Sequence, residues 1–210
     1  MPPRLDAALL DRARRSLCRR DPVLRPLIRQ VGPCALRWRG DPYRYLVRGV
    51  LYQQLAGAAA SAIEGRFKAE FGGRIPAPER LLEASPQRLR GVGLSRQKAA
   101  AVRSIAEAFM DGTVSARKLP HMDDDEVVAA VTQIHGVGVW TAHMLLMFSL
   151  ARPDVLPVGD YGVRKAAREL YGLDSLPKPG ELETIAEPWQ PYRSVACWYL
   201  WRHADVTTPD

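Results

Sequence analysis

From Leu5 to Arg202 the apolar residues of this chain recur at helical spacing, and no stretch alternates long enough to make a strand. The nearest candidate, DVLPV at 154–158, sits among Pro153 and Pro157, which would deny a sheet its ladder hydrogen bonds. The pattern therefore predicts an all-α chain of about nine to eleven helices. Residues 4–18 carry apolar positions at helical spacing behind an Asp. The stretch 43–72 reads as one long helix stopped by Gly72 and Gly73, and its small residues from Ala56 to Ala62 would let another helix pack closely. Segments 76–84 and 85–93 open with Pro or Ser, as helix starts prefer. Segment 95–112 is amphipathic and ends at Gly112. Segment 123–134 begins with Asp123, Asp124, Asp125 and Glu126, a solvated helix start that suits the positive end of the dipole. An extended joint then leads to a helix near residue 160, and the chain is helical again around PWQP at 188–191.

A chain of 210 residues can build one sizeable domain or two lobes sharing a core. The formal charge of +7 points to a polyanionic partner, although a GC-rich genome, which enriches arginine, gives the same excess. No apolar run approaches the roughly 18 residues of a membrane span, and charges interrupt the N-terminus throughout. The expected setting is the cytoplasm. Cys18, Cys34 and Cys197 are odd in number and far apart, matching neither a disulfide framework nor a metal motif. An iron–sulfur cluster needs four clustered cysteines. No cofactor is required by anything in the sequence, and His135 and His143 lack ligand spacing.

The stretch QIHGVGVWTAHMLL, 133–146, places Gly136 and Gly138 around Val137 and then enters an apolar helix. Glycines at that spacing make either a tight interhelical turn or a cradle for an anion. In the second case the unpaired N–H groups of the new helix and its dipole would face a phosphate. A weaker echo, LRGVGLSRQKA at 89–99, has the same helix–turn–helix form, and only one of the two need bind anything.

HGVGVWTA at 135–142, followed by LPVGDYGVRKA at 156–166, resembles the helix–hairpin–helix DNA glycosylases of the HhH-GPD type. The specific likeness is to the DNA-3-methyladenine glycosylase II, AlkA-like branch. VLYQQLAGAAA at 50–60 and WQPYRSVACWYLW at 189–201 extend it in the same order, from about Tyr43 to Arg202. The resemblance implies a two-lobed helical fold with a cleft between the lobes. Residues 1–42 would pack with the C-terminal lobe, 43–145 would form the central lobe ending in the hairpin, and 146–210 would carry the catalytic aspartate. It implies a monofunctional glycosylase that flips alkylated bases of the 3-methyladenine and 7-methylguanine type out of double-stranded DNA and hydrolyses the N-glycosidic bond. The partner would be duplex DNA containing such bases, met by a monomer at the nucleoid. The chain starts without the β-rich N-terminal region of some members, which implies a broader range of accepted bases.

The resemblance also assigns residues. Asp160 is the catalytic carboxylate; as an N-cap it would be held in one rotamer, and Asp154 is its nearest rival. Bifunctional relatives carry a Schiff-base lysine where this chain has Trp140, which cannot form an imine. Lys165 would face a phosphate, with Gly136, Val137, Gly138 and Thr141 of the hairpin. Gln54 is the wedge that fills the gap left by the flipped base, with Gln53 at the pocket or the opposite base. Trp201, Trp140, Tyr161 and Tyr52 complete the base pocket. Trp201 is the stacking face for a cationic base, and Tyr52 stands where a small residue is common. Trp189 and Trp198 read as core. The backbone carbonyls of Thr132, Ile134 and Val137 would hold Na+ or K+. Two rivals stand beside this reading: a non-catalytic hairpin DNA-binding protein, and a glycosylase for another damaged base.

Overall fold

The computed structural model describes residues 2–38, 40–55 and 57–203. These residues form twelve α-helices and two short 3-10 turns, with no strand among them. In chain order the helices are α1 (Ala7–Arg20), α2 (Leu24–Val31), α3 (Pro42–Tyr52), α4 (Gly57–Glu70), α5 (Pro78–Leu82) and α6 (Pro86–Gly91). They continue with α7 (Arg96–Met110), α8 (Asp124–Thr132), α9 (Val139–Phe148), α10 (Tyr161–Tyr171), α11 (Pro179–Ile185) and α12 (Arg193–His203). The chain divides into two compact units, Arg39–Leu145 and Pro2–Trp38 with Leu146–Asp210.

In the Arg39–Leu145 unit α7 is the central helix, packing against α3, α5 and α6. Its buried face comprises Ala99, Ala101, Val102, Ile105, Ala106 and Ala108, and the small residues allow close approach from several sides. α3 opposes it with Leu46, Val47, Val50 and Leu51, and Tyr43 meets Phe109 edge-on at 5.4 Å. Helix starts are set locally. Asp41, Ser85 and Ser95 each accept a backbone N–H from three residues on, and Asp123 and Glu126 form a reciprocal capping box.

The single helix expected over 43–72 is two. Gln53 leaves the helical region at ψ 133, Gln54 adopts φ 56, and α4 starts at Gly57. No proline marks the break, and Gly57 comes only at its far edge, as the first residue of α4; Gln53 is instead held by a contact 83 residues along the chain. The small residues at the start of α4 also differ from expectation. Ala58, Ala59 and Ala62 are exposed, because α4 buries the face of Ala60, Glu64 and Phe67 instead; Ala56 lies outside the described residues.

In the other unit α12 is the core. Residues 194–201 are buried without interruption, so this helix is enclosed on all sides. The N-terminal helices are fastened to it and its neighbours by specific bonds. Asp21, 3% exposed, accepts from the backbone of Val23 and Leu24, from Tyr171 Oη and from Trp189 Nε1 at 2.7 Å. Tyr199 Oη donates to Gly32 O, and Leu5 N to Ala151 O. Trp189 and Trp198 are buried, as their sequence context predicts.

Candidate active site and DNA-contact turns

The hairpin is the turn 133–138 between α8 and α9. Gly136 is its hinge. It sits at φ 86, and a Cβ there would stand 2.4 Å from Ala101 Cβ of α7, so both conformation and space demand glycine. Gly138 is exposed and open, directly before α9, where helix N–H groups lack intrahelical partners. The turn closes on itself through Val137 N–H to Ile134 O at 3.0 Å, with the Val137 side chain buried beneath. Thr141 differs from its expected place. Its side chain is 5% exposed and faces Gly49 of α3, so only its backbone belongs to the helix N-terminus. Trp140, one position earlier, is 43% exposed.

The echo at 89–99 is not a conformational repeat. There the second glycine, Gly93, takes the left-handed conformation at φ 101 and Gly91 ends α6, whereas the hairpin uses its first glycine.

The turn at 53–55 meets the hairpin inside the same unit. Gln53 Nε2 donates to Gly136 O at 3.2 Å, so Gln53 braces the hairpin instead of standing ready for a base. Gln54 is exposed and held at positive φ, a costly conformation for a non-glycine residue and one that clusters at functional sites. Leu55, 39% exposed beside it, adds apolar surface at the tip. A leucine inside an apparently continuous helix reads as core, so nothing local distinguishes it. Tyr52 turns away from a pocket role: its hydroxyl donates to Glu64 at 2.7 Å and lies 3.1 Å from Ser61 Oγ, and the Arg48 guanidinium covers its ring at 4.2 Å. Glu64 also receives Arg48 and Lys68. Burial pushes the Glu64 carboxyl up, but Lys68, Tyr52 and Arg48 outweigh that and hold it below its ordinary value.

In the other unit Asp160 is the N-cap of α10 and 8% exposed. Its Oδ1 accepts from Val163 N–H at 2.8 Å and from Trp201 Nε1 at 2.9 Å. One donor is local and the other, Trp201, lies 41 residues from Asp160, and together they orient Oδ1. Trp201 is thereby corrected from an open stacking face. Its ring is 1% exposed, lies 5.8 Å from Phe148, and serves the carboxylate through its N–H. Tyr161, next to Asp160, is 65% exposed, and Lys165 is half-buried one turn on.

Asp154 is engaged elsewhere. Arg193 grips it through Nε at 2.8 Å and Nη2 at 2.9 Å, and the Arg193 N–H donates to it at 3.1 Å at the start of α12. Asp154 is thus the carboxylate of an ion pair with Arg193, whereas Val163 N–H and Trp201 Nε1, which reach Asp160, are neutral donors. Cys197 packs near it, and burial, then the Asp160 charge, pushes its thiol well above the ordinary value. Burial raises Cys34 to about 12, so these two thiols are packing groups. No cluster of His, Cys, Asp or Glu among the described residues could hold a metal, and no described helix is long and apolar enough to cross a membrane.

Residues 47–191 match the model of the HhH-GPD superfamily base excision DNA repair proteins. The alkylbase DNA glycosidase-like protein mag2 of Schizosaccharomyces pombe is 31% identical over 196 residues, 91% of this chain and 92% of that protein. DNA-3-methyladenine glycosylase 1 of the same yeast is 37% identical over 174 residues, covering 80% of this chain and 76% of its own length. The solved structure of the S. pombe 3-methyladenine DNA glycosylase Mag1, in complex with abasic DNA, superposes with a TM-score of 0.85 at 34% identity, over 93% of this chain and 98% of that one.

Proposed function

The chain belongs to the HhH-GPD superfamily of base excision DNA repair proteins, and we propose that it is a monofunctional DNA glycosylase that releases alkylated bases by hydrolysis. The observation that carries this reading is the Asp160 carboxylate, nearly buried and oriented by Val163 N–H and Trp201 Nε1. Relatives named for 3-methyladenine glycosylase activity support the substrate class.

The chemistry asks for little beyond that charge. A 3-methyladenine or 7-methylguanine base is already cationic, so it departs with the electron pair of the C1′–N bond and leaves as a neutral molecule. The sugar becomes oxocarbenium-like, and the Asp160 carboxylate stabilises it. Water then bonds to C1′, its proton passing to Asp160 or solvent. The products are a free base and an intact abasic strand. Trp140 offers no amine for an imine, so strand cleavage does not follow.

The target must first leave the stack, at a cost of a few kcal/mol. The Gln54–Leu55 turn fills the gap, while the N–H groups at the start of α9, behind Gly136 and Gly138, grip a phosphate. Lys165 supplies a second phosphate contact. Tyr161, exposed beside Asp160, offers an aromatic face to a cationic base, and Trp140 is an exposed ring of the hairpin in the other unit. The carbonyls of Thr132, Ile134 and Val137, at the C-terminal end of α8 and in the turn, would be the ligands of Na+ or K+ there. The ion would add positive charge beside the phosphate. The enzyme acts as a monomer on chromosomal DNA in the cytoplasm.

Methylated duplex DNA incubated with the protein should yield free methylated bases and abasic strands that break only on later alkaline treatment. Salt-sensitive binding with no released base would leave a non-catalytic hairpin protein.

A further inference from the structure

Several long-range contacts meet at the turn between α3 and α4. Lys98, in the first turn of α7, donates from Nζ to Leu51 O at 2.8 Å. That carbonyl lies in the last turn of α3, where intrahelical partners run out and a cation also meets the negative end of the dipole. Burial lowers the Lys98 pKa from its ordinary value, as expected of an ammonium drawn from water to reach a carbonyl. Two residues beyond Leu51, Gln53 reaches across to Gly136 O of the hairpin. Gly136 in turn rests on Ala101, which lies one helical turn after Lys98 on α7. Gly49 of α3 faces Thr141 of α9. One turn of α7, from Lys98 to Ala101, therefore seats both the turn that carries Gln54 and the turn that carries Gly136.

We propose that Lys98 and Gln53 are positioning residues that lock the insertion turn to the hairpin, so that gripping a phosphate fixes how Gln54 enters the duplex. The proposal rests on the DNA-glycosylase reading above. Its physical basis is the backbone of Gln54. A non-glycine residue at φ 56 is strained and persists only where its surroundings over-determine it. The Lys98 bond fixes the chain before Gln54, and the Gln53 bond fixes it at the adjoining residue. Neither donor need touch DNA, and neither supplies the grip. Their loss should loosen insertion while leaving affinity in place, which a general loss of folding would not do.

The test uses the full chain with Lys98→Met, Gln53→Met, the pair, and Lys98→Arg, which retains donors. A lesion duplex carries 2-aminopurine beside the damaged base to report unstacking, and anisotropy on the same duplex gives affinity. Each Met variant should lower unstacking amplitude and single-turnover base release about tenfold, the scale of one lost hydrogen bond. Affinity should stay within about threefold. The pair should lose no more than about threefold beyond the worse single variant, since either loss frees the same turn. Lys98→Arg should recover most of the signal. Losses that multiply in the pair, affinity falling in step with unstacking, or Met variants equal to wild type would each overturn the coupling. Thermal melts check folding, and if a Met variant melts early, Gln53→Leu, neutral and without a donor, supplies the same reading, measured below the melting range of every variant. A wild-type protein that unstacks the base without releasing it would sink the glycosylase reading and leave the coupling standing.

Discussion

Asp160→Asn separates charge from geometry at the candidate catalytic residue. Asparagine keeps the shape of the side chain and one carbonyl oxygen. The bonds from Val163 N–H at 2.8 Å and Trp201 Nε1 at 2.9 Å both fall on Oδ1, so both keep an acceptor. Asn and Asp are near-equal N-caps, so stability should change by less than about 1 kcal/mol. The negative charge is what disappears. A unit charge about 4 Å from a developing sugar cation, at an effective dielectric of about 20, contributes about 4 kcal/mol. That is roughly a thousandfold in rate.

The assay is single-turnover release of 7-methylguanine and 3-methyladenine from methylated duplex, read by chromatography, beside anisotropy and a thermal melt. The expected variant is folded, binds DNA as wild type does, and releases base about a thousandfold more slowly. Asp160→Ala should show the same rate loss plus about 1–3 kcal/mol of destabilisation, because it also strips the cap and leaves the buried Trp201 N–H without its acceptor. A folded Asp160→Asn protein releasing base within tenfold of wild type would refute the electrostatic role assigned to this carboxylate.

Four further substitutions test the surrounding structure. Trp201→Phe keeps a ring beside Phe148 but removes the donor to Asp160, so base release should fall about tenfold, and the smaller ring in this buried site should cost about 1–3 kcal/mol in a melt. Asp154→Asn should cost about 1 kcal/mol in a denaturant melt, since its Arg193 pair is partly exposed. It should leave base release within about threefold of wild type, whereas a loss comparable to Asp160→Asn would reopen the choice between the acids. Gly136→Ala combines a left-handed backbone with a methyl 2.4 Å from Ala101 Cβ. It should lower Tm by an amount equivalent to about 1–3 kcal/mol and weaken DNA binding in anisotropy, with Ala101→Gly recovering only the steric part. For Glu64, held below its ordinary 4.5, the stabilisation is present above that value and is lost as pH falls through the lower folded value. Wild type should therefore lose Tm on acidification below about pH 4.5, and Glu64→Gln, less stable at neutral pH, should lack that component.

How far the molecule is legible in its sequence depends on the range of the interactions that decide each feature. The acidic start of α8, the serine before α6 and the apolar face of α7 are local, and the sequence pattern predicts them directly. The role of Asp160 as an N-cap is local too, three residues from Val163. Its orientation is not, because the second donor comes from Trp201. The pattern marks Trp201 as aromatic and helical, and either a stacking face or a buried donor satisfies that description. The choice between Asp154 and Asp160 turns on Arg193, 39 residues downstream of Asp154.

The break after Tyr52 is the sharpest case. Local propensity favours a helix through Gln53, Gln54 and Leu55, none of which is a breaker. Continuing the helix would carry Gln53 away from Gly136 O and leave the end of α3 elsewhere than at Lys98. Local propensity, a few tenths of a kcal/mol per residue, is set against the long-range hydrogen bonds of Lys98 and Gln53 at the two edges of the turn. The two Gly-Val-Gly segments obey the same logic: identical triplets place the left-handed residue differently, at Gly93 in one and at Gly136, against Ala101, in the other. The features hidden from a helical pattern are thus the ones that tertiary contacts impose against it. In this chain those contacts cluster around the two turns proposed to touch DNA.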